Sequence, residues 1–211
     1  GTDGIVTLRA EVDASAKVTS ARIQVGEHEA TLTLDGTSLH GELRVPTPDR
    51  WWPHTHGVPR LHACQVVIET ESGPCVFPLE PVGFRQLERR DEPGFALHIN
   101  GEPVYCRGAC WTTSDIFTLS GSEHSLRHDL CLARDAGMNM IRIGGTMIYE
   151  SDAFYRLCDE LGILVWQDFM FANMDYPVED AGFAENITTE AKQQLDRLAL
   201  HPCLVVYCGS S

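Results

Sequence analysis

Polar and hydrophobic positions alternate with a period of two from Gly4 to about Leu79. This period places successive side chains on opposite faces of a strand and is typical of a sheet with one buried face. Turn signals such as Asp35-Gly36 and Ser72-Gly73-Pro74 separate the runs. The predicted strands lie near residues 4–12, 18–25, 29–34, 39–45, 61–69 and 75–80. Several short strands without intervening helices predict a β-sandwich.

The pattern changes after the charged stretch 88–94 and a predicted hairpin at Asn100-Gly101. From there, apolar strand runs alternate with helical patterns, which predicts parallel strands joined by right-handed crossovers. The predicted strands are residues 104–111, 138–143, 163–168 and 204–208, and the predicted helices are 122–136, 151–162 and 187–200. Four such units would form either a small open sheet or the first half of an eight-stranded barrel, and the pattern alone leaves both open.

Charge and composition exclude several classes of partner. Lys and Arg total 16 against 30 Asp and Glu, which gives a formal charge of −14. Such a chain repels phosphate backbones, so we expect no nucleic-acid partner. No apolar run approaches the ~20 residues that span a bilayer, so we expect no membrane partner. The sequence lacks a dinucleotide-binding glycine motif, and Gly144-Gly145 lacks the spacing of a phosphate loop, so we expect no cofactor.

The histidines and cysteines do not predict a metal site. His54-Thr55-His56 and His62 have no Cys or carboxylate at a familiar ligand spacing. The eight cysteines form no C-x-x-C pair and mostly lie inside apolar runs, so we expect buried free thiols. The first residues, 1–3, show neither an initiator Met nor a signal peptide, so we expect a segment of a longer protein and leave its compartment open.

Polar and aromatic residues cluster where the predicted parallel strands end, which is where reacting groups collect in parallel α/β folds. Carboxylates and amides bind hydroxyl groups, Trp offers a flat apolar face, and Arg orients carboxylates, so this mixture suits a sugar. In chain order the candidates are Arg107, Trp111 and Asp115, then Arg142 and Glu150, then Trp166, Gln167, Asp168 and Asn173, and finally Ser210 and Ser211.

Each candidate also has a structural interpretation. Arg107 and Arg142 would serve equally well as ion-pair partners of buried carboxylates. Trp111 and Trp166 would equally well fill core volume. Asp168 directly follows an apolar run, where an unpaired carboxylate would be costly, so a functional role is favoured for it.

Five segments of the chain match, in the same order, the pattern of a known family. They are 51–57, 82–85, 100–109, 148–152 and 154–172. These segments resemble glycoside hydrolase family 2, and within it the β-mannosidase-like branch. In that family an immunoglobulin-like β-sandwich precedes a (β/α)8 catalytic barrel. The resemblance therefore implies an immunoglobulin-like sandwich at residues 1–87 and the first four βα units of a TIM barrel at residues 88–211.

The resemblance also implies an activity. The chain would be part of a retaining exo-β-glycosidase, most similar to β-mannosidases, with a β-linked oligosaccharide or glycoside as substrate. Its other partner would be the rest of its own barrel. The acid/base Glu is expected directly after Ser211 and the nucleophile on a later strand, so the isolated chain is expected to be inactive. By position, Arg142 matches the family's arginine near the nucleophile, while Trp111, Asp115 and Asp168 fall in the expected sugar subsite.

Two positions depart from the family pattern. Gly144 stands where a sugar-facing Trp is expected, and Ser211 where an Asn usually binds the sugar's 2-hydroxyl. Two alternatives stay open: a non-catalytic carbohydrate-binding or scaffolding protein on the same fold, and a freestanding α/β domain fused to a sandwich.

Overall fold

The computed structural model of the chain contains two compact units. The first comprises Gly1–Asp49 and Leu61–Phe84, and the second comprises Arg50–Arg60 and Arg85–Ser211. The residues that the structure describes are 3–13, 16–89 and 95–209.

Residues 50–60 belong to the second unit although strands of the first unit flank them in the sequence. Trp51 is fully buried (0% exposed), and its indole Nε1 donates a 2.9 Å hydrogen bond to the carbonyl oxygen of Asp159. A single boundary after residue 87, as predicted, does not describe this division. The contact joins residues far apart in the chain, so local patterning contains no sign of it.

The first unit is an antiparallel sheet with the strand order β1-β4-β3-β2-β5-β6. Its tight turns use residues in the left-handed region, such as Gly26 (φ 57°) and Gly36 (φ 62°), where glycine lacks a steric penalty. The six strands confirm the strand predictions. Their bounds are β1 Gly4–Glu11, β2 Val18–Val25, β3 His28–Asp35, β4 Ser38–Val45, β5 His62–Thr70 and β6 Gly73–Val82.

Alternate residues of these strands are buried in one apolar cluster. In β2 the buried positions are Ala21, Ile23 and Val25, which matches the predicted period of two. Leu39 of β4 and Val66 of β5 lie in the same cluster, so strands from both halves of the sheet contribute to one core. The arrangement is consistent with a β-sandwich.

The second unit begins with a small antiparallel sheet of β7 (Leu87–Arg89), β8 (Leu97–Ile99) and β9 (Glu102–Val104). Asn100 and Gly101, both at positive φ, form the turn between β8 and β9 and confirm the predicted hairpin. The predicted strand 104–111 is therefore divided, because Val104 pairs in this hairpin and a new strand starts only at Gly108.

The rest of the second unit alternates strands and helices, as predicted. All four strands pair in parallel in the order β10-β11-β12-β13. The last helix begins at Ala181, earlier than the predicted residue 187, because Asp180 accepts a 3.0 Å hydrogen bond from the amide of Phe183 and caps it. The elements are β10 Gly108–Trp111, α1 Glu123–Asp135, β11 Met140–Ile143, α2 Asp152–Leu161, β12 Leu164–Asp168, α3 Ala181–Leu198 and β13 Leu204–Cys208.

None of the eight cysteines, all of which the structure describes, forms a disulfide, and they are not all buried. Burial raises the pKa of the thiols of Cys64, Cys158 and Cys203, which keeps them protonated. Cys75 and Cys110 are exposed, so the prediction of buried thiols is wrong for them. Each lies in a strand, where residues inside an apolar run still alternate between the two faces.

None of the helices in the described part of the chain combines the length and the apolar character that crossing a bilayer requires.

Candidate functional site

The parallel register of the second unit lines up side chains from all four strands. Cys110 pairs with Arg142, Arg142 with Trp166, and Trp166 with Val206. Partners in register share a face of a sheet, so these four residues form a row across one face. The opposite face is apolar and buried, with Ile143 at 0% exposure. The first face therefore carries the polar chemistry of this sheet.

Arg142 and Asp168 form a two-point ion pair at the end of this row. The Nη2 and Nε atoms of Arg142 donate to Oδ2 and Oδ1 of Asp168 at 2.7 and 3.2 Å. The amide of Gly145 also donates to Oδ2, at 3.2 Å. The hydrogen bond to Asp168 raises the pKa of Arg142, so the guanidinium stays charged.

The two partners differ in burial. Asp168 is fully buried (0% exposed), whereas the side chain of Arg142 is 36% exposed and its guanidinium carbon lies 5.4 Å from the ring centroid of Trp166. Arg has five N–H donors and only two are used by Asp168, so the others are available to a ligand. The pair thus satisfies a buried carboxylate and still presents positive charge on the open face. The structural and functional interpretations of Arg142 are compatible.

Trp111 and Glu150 form a second contact at the same edge of the sheet. The indole Nε1 of Trp111 donates a 2.8 Å hydrogen bond to Oε1 of Glu150, which is only 2% exposed. The Trp111 ring also packs on Phe154, with centroids 5.0 Å apart. Arg197 donates to the carbonyl oxygen of Glu150 at 2.8 Å and fixes its backbone. Glu150 therefore orients Trp111, whose half-buried ring keeps one part accessible.

Asp115 shapes the loop that follows β10. Its Oδ1 accepts hydrogen bonds from the amides of Phe117 (2.7 Å) and Thr118 (3.2 Å). The bond from Phe117 is the main cause of the lowered pKa of this carboxyl group, which is ionised at neutral pH. The Asp115 carboxylate therefore holds the loop after β10 in place.

Two other predicted residues, Asn173 and Arg107, lie apart from these contacts. Asn173 is exposed in the loop after β12, at a left-handed φ of 61°, and none of the hydrogen bonds found among the described residues involves its side chain. Ser211 lies outside the described residues. Arg107 precedes β10 and so lies at the opposite edge of the sheet from Trp111, where its amide donates to Asn139 Oδ1. Placing Arg107 at a strand's carboxyl end was wrong.

A buried side-chain network supports Asp168 from the other face of β12. Gln167 Nε2 donates to the backbone oxygen of Asp168 at 2.8 Å, and the hydroxyl of Tyr155 donates to Gln167 Oε1 at 2.5 Å. The guanidinium of Arg197 lies over the Tyr155 ring, 5.4 Å from its centroid. Tyr155 and Arg197 were not predicted, because Tyr155 fits the apolar stripe of α2 and its contact with Gln167 depends on how the helix packs.

An open cavity of about 310 Å³ lies beside Arg142 and Trp166 and extends to Gly108 and Met140, the first residues of β10 and β11. Phe95 stands against Trp166 there, with ring centroids 5.4 Å apart. The Trp166 indole Nε1 is buried and has no hydrogen-bond partner among the described residues. Aromatic faces beside a guanidinium and a free N–H donor suit a ring with apolar C–H faces and hydroxyl groups. Within the described ranges, no three His, Cys, Asp or Glu side chains are grouped as a metal site would require.

Gly144 leaves the carboxyl end of β11 open. No neighbouring heavy atom lies within 4 Å of the position that a Cβ atom would take there. The resemblance predicts a Trp at this position, and its absence removes an aromatic wall beside the Arg142–Asp168 pair. The next amide, of Gly145, is the one that binds Asp168.

Comparisons with known proteins agree on one group of enzymes, although no family model matches the chain. The chain is 37% identical to the β-mannosidase of Bos taurus, with 97% of the chain and 26% of that protein aligned. It is 34% identical to β-mannosidase B of Aspergillus oryzae, over 98% of the chain and 26% of the relative.

Solved structures give the same result. The β-D-mannosidase from Dictyoglomus thermophilum matches 99% of the chain and 27% of its own length, with a TM-score of 0.84 and 34% identity. A β-glucuronidase from Bacteroides uniformis matches with a TM-score of 0.77 but only 20% identity, which shows a shared fold alone. The chain spans about a quarter of the length of these proteins.

Proposed function

Because the chain is a β-mannosidase-like segment of glycoside hydrolase family 2, we propose that it is part of a β-glycosidase that removes terminal β-linked sugars, with β-mannosides as its substrates. The observation that carries the proposal is the Arg142–Asp168 pair at the carboxyl end of a parallel sheet. This is the edge where parallel α/β enzymes bind their substrates.

In this proposal the four βα units are half of a (β/α)8 barrel. Strands β10 and β13 are the outer strands of the described sheet, and further strands would pair with them to close it. The row of Cys110, Arg142 and Trp166 would then face the inside of the barrel. The preceding antiparallel unit would be the immunoglobulin-like sandwich.

The residues of this chain would bind and orient the sugar. Arg142 would hold a hydroxyl group or a neighbouring carboxylate through its unused N–H donors, since Asp168 fixes the guanidinium in one plane. Trp111, oriented by Glu150, would present a flat face to the C–H side of a pyranose ring. The partly buried Asp115 carboxylate would accept a hydrogen bond from a hydroxyl group.

The bond-breaking groups would come from the remainder of the barrel. Retaining hydrolysis uses an acid/base and a nucleophile, two carboxyl groups about 5 to 5.5 Å apart. In our proposal both follow Ser211, so the 211 residues alone would not turn over a glycoside.

The complete protein is expected to hydrolyse 4-nitrophenyl β-mannoside with a kcat/KM about 100-fold or more above that for the β-glucuronide, because its relatives at 34–37% identity are β-mannosidases, whereas the β-glucuronidase with the same fold is only 20% identical. Proton NMR of the first product would show the β-anomer if the configuration is retained. The 211-residue chain serves as the inactive control. Tight binding of mannosides without hydrolysis by the complete protein would instead favour the non-catalytic alternative, and preference for the uronide would contradict the proposal.

A further inference from the structure

Gln167 places a polar side chain on the buried face of the parallel sheet. It is only 1% exposed and lies in register between Ile143 and Tyr207. An amide group in such a place costs stability unless its oxygen and its nitrogen both find partners, and a hydrocarbon side chain would fill the space without that cost. A glutamine at this position therefore indicates a role beyond packing.

Both ends of the Gln167 amide have partners, and one of these partners is Asp168. The nitrogen Nε2 donates a 2.8 Å hydrogen bond to the backbone oxygen of Asp168, and the oxygen Oε1 accepts a 2.5 Å hydrogen bond from the Tyr155 hydroxyl. Burial raises the pKa of Tyr155, so its hydroxyl stays protonated and can donate. Tyr155 therefore holds the amide with its nitrogen toward Asp168.

The hydrogen bond from Gln167 acts on the peptide group that follows the Asp168 side chain. This group consists of the Asp168 carbonyl, which Gln167 binds, and the Phe169 amide, which donates a 2.9 Å hydrogen bond to the carbonyl oxygen of Cys208. Because a peptide group is planar, bonding both of its ends restrains ψ of Asp168. The carboxylate is thereby directed to the opposite face of β12, where Arg142 binds it.

The ring of Tyr155 is itself held in place by its neighbours. It packs edge-on against Phe154, with centroids 5.4 Å apart, and its centroid lies 5.5 Å from that of His201. The guanidinium of Arg197 covers one of its faces. These neighbours belong to α2, to α3 and to the segment that follows α3, so the helix layer behind the sheet gives the hydroxyl a fixed position from which to donate.

We propose that Tyr155 and Gln167 are positioning residues for the Asp168 carboxylate, which they hold from the buried face of β12 at the place where it orients Arg142 toward the sugar. In this proposal neither residue touches the sugar. The inference rests on the proposed β-glycosidase function and deepens it by extending the site to the helix layer behind the sheet. Without the restraint the Arg142–Asp168 pair would still form but would be displaced, and a displacement of about 1 Å can lower activity about 100-fold.

The test is a double-mutant cycle in the complete protein, with 4-nitrophenyl β-mannoside as the substrate. Tyr155→Phe keeps the ring and removes only the hydroxyl group. We expect it to lower kcat/KM per folded molecule about tenfold in the wild type, but less than about twofold when it is added to Asp168→Asn. A hydroxyl with a purely structural role would give the same factor in both backgrounds. Thr70→Val, which removes a hydroxyl that donates a 2.8 Å hydrogen bond to Gly73 in the first unit, is the matched control and should leave kcat/KM unchanged.

A second variant reaches the same contact from its other partner. Gln167→Met keeps the length of the side chain and removes its polar atoms, so it should lower kcat/KM by a similar factor and show the same dependence on Asp168. It completes the cycle if Tyr155→Phe does not fold. Thermal melts of each preparation give the folded fraction by which kcat/KM is corrected.

The outcomes separate the inference from the proposed function. Equal factors in the two backgrounds, or no change from Tyr155→Phe and Gln167→Met alone, would overturn the positioning role and leave the proposed function standing. An Asp168→Asn variant with unchanged kcat/KM would also overturn it, because the carboxylate would then have no effect to transmit. If the folded wild-type protein does not cleave the mannoside, the proposed function itself fails, and the inference fails with it.

Discussion

The Arg142→Ala variant is expected to lose about 3 to 5 kcal/mol of its free energy of unfolding, as is typical when a buried charge loses its partner. The carboxylate left behind, Asp168, is fully buried, and the amide of Gly145 would still donate a hydrogen bond to it. Chemical denaturation of the variant and the wild type, followed by circular dichroism, measures the loss.

Because the two partners are buried to different extents, removing one should cost more stability than removing the other. Asp168→Ala should cost less than Arg142→Ala, since Arg142 is 36% exposed and water can solvate its freed guanidinium. Arg127→Ala is the matched control, because Arg127 pairs with Glu160 at the same distance of 2.7 Å but on the surface, and it should cost at most about 1 kcal/mol. Equal losses for Arg142→Ala and Arg127→Ala would show that the buried pair contributes no more than a surface contact.

The Trp51→Ala variant should destabilise the second unit by about 3 to 5 kcal/mol and leave the first unit unchanged. Trp51 is fully buried and hydrogen-bonded to the Asp159 carbonyl, so its removal opens a large cavity and leaves that oxygen unpaired. Hydrogen exchange measured by mass spectrometry resolves the two units. Amides of β11 and β12 should exchange at least about 100-fold faster, whereas those of β2 should keep the wild-type rate.

The neighbouring Trp52 provides the control for this variant. Its side chain is only half-buried, so Trp52→Ala should cost about 1 kcal/mol. Faster exchange in β2 of the Trp51→Ala variant would mean that residues 50–60 support the first unit instead, and would contradict the division into units.

Local rules account for most of the fold. Alternation with period two identified the strands of the first unit, because each has one face in the core, as the buried Ala21, Ile23 and Val25 of β2 show. Capping chemistry located the start of α1, where the Ser122 hydroxyl accepts a hydrogen bond from the Ser125 amide. The residues that carry these signals lie within a few positions of the strand or helix end that they determine.

Features that depend on contacts between distant segments could not be predicted in this way. The second unit includes residues 50–60 through contacts such as that of Trp51 with Asp159. Contacts of this kind produce no periodic pattern in the sequence. The sequence placed Arg142 and Asp168 at the same edge of a sheet, but their mutual ion pair follows from a register that only the structure supplies. The exposure of Cys110 likewise depends on which face of β10 is covered.

The kinetic effect of Asp168→Asn in the complete protein tests the sugar-site assignment most directly, because this change keeps the shape of the side chain and removes its charge. If the Arg142–Asp168 pair is part of the sugar site, kcat/KM for 4-nitrophenyl β-mannoside should fall about 100-fold or more, as expected when a preorganised charged contact is lost. Thermal melts on the same preparation correct for any unfolded fraction. Unchanged kcat/KM per folded molecule would contradict the assignment.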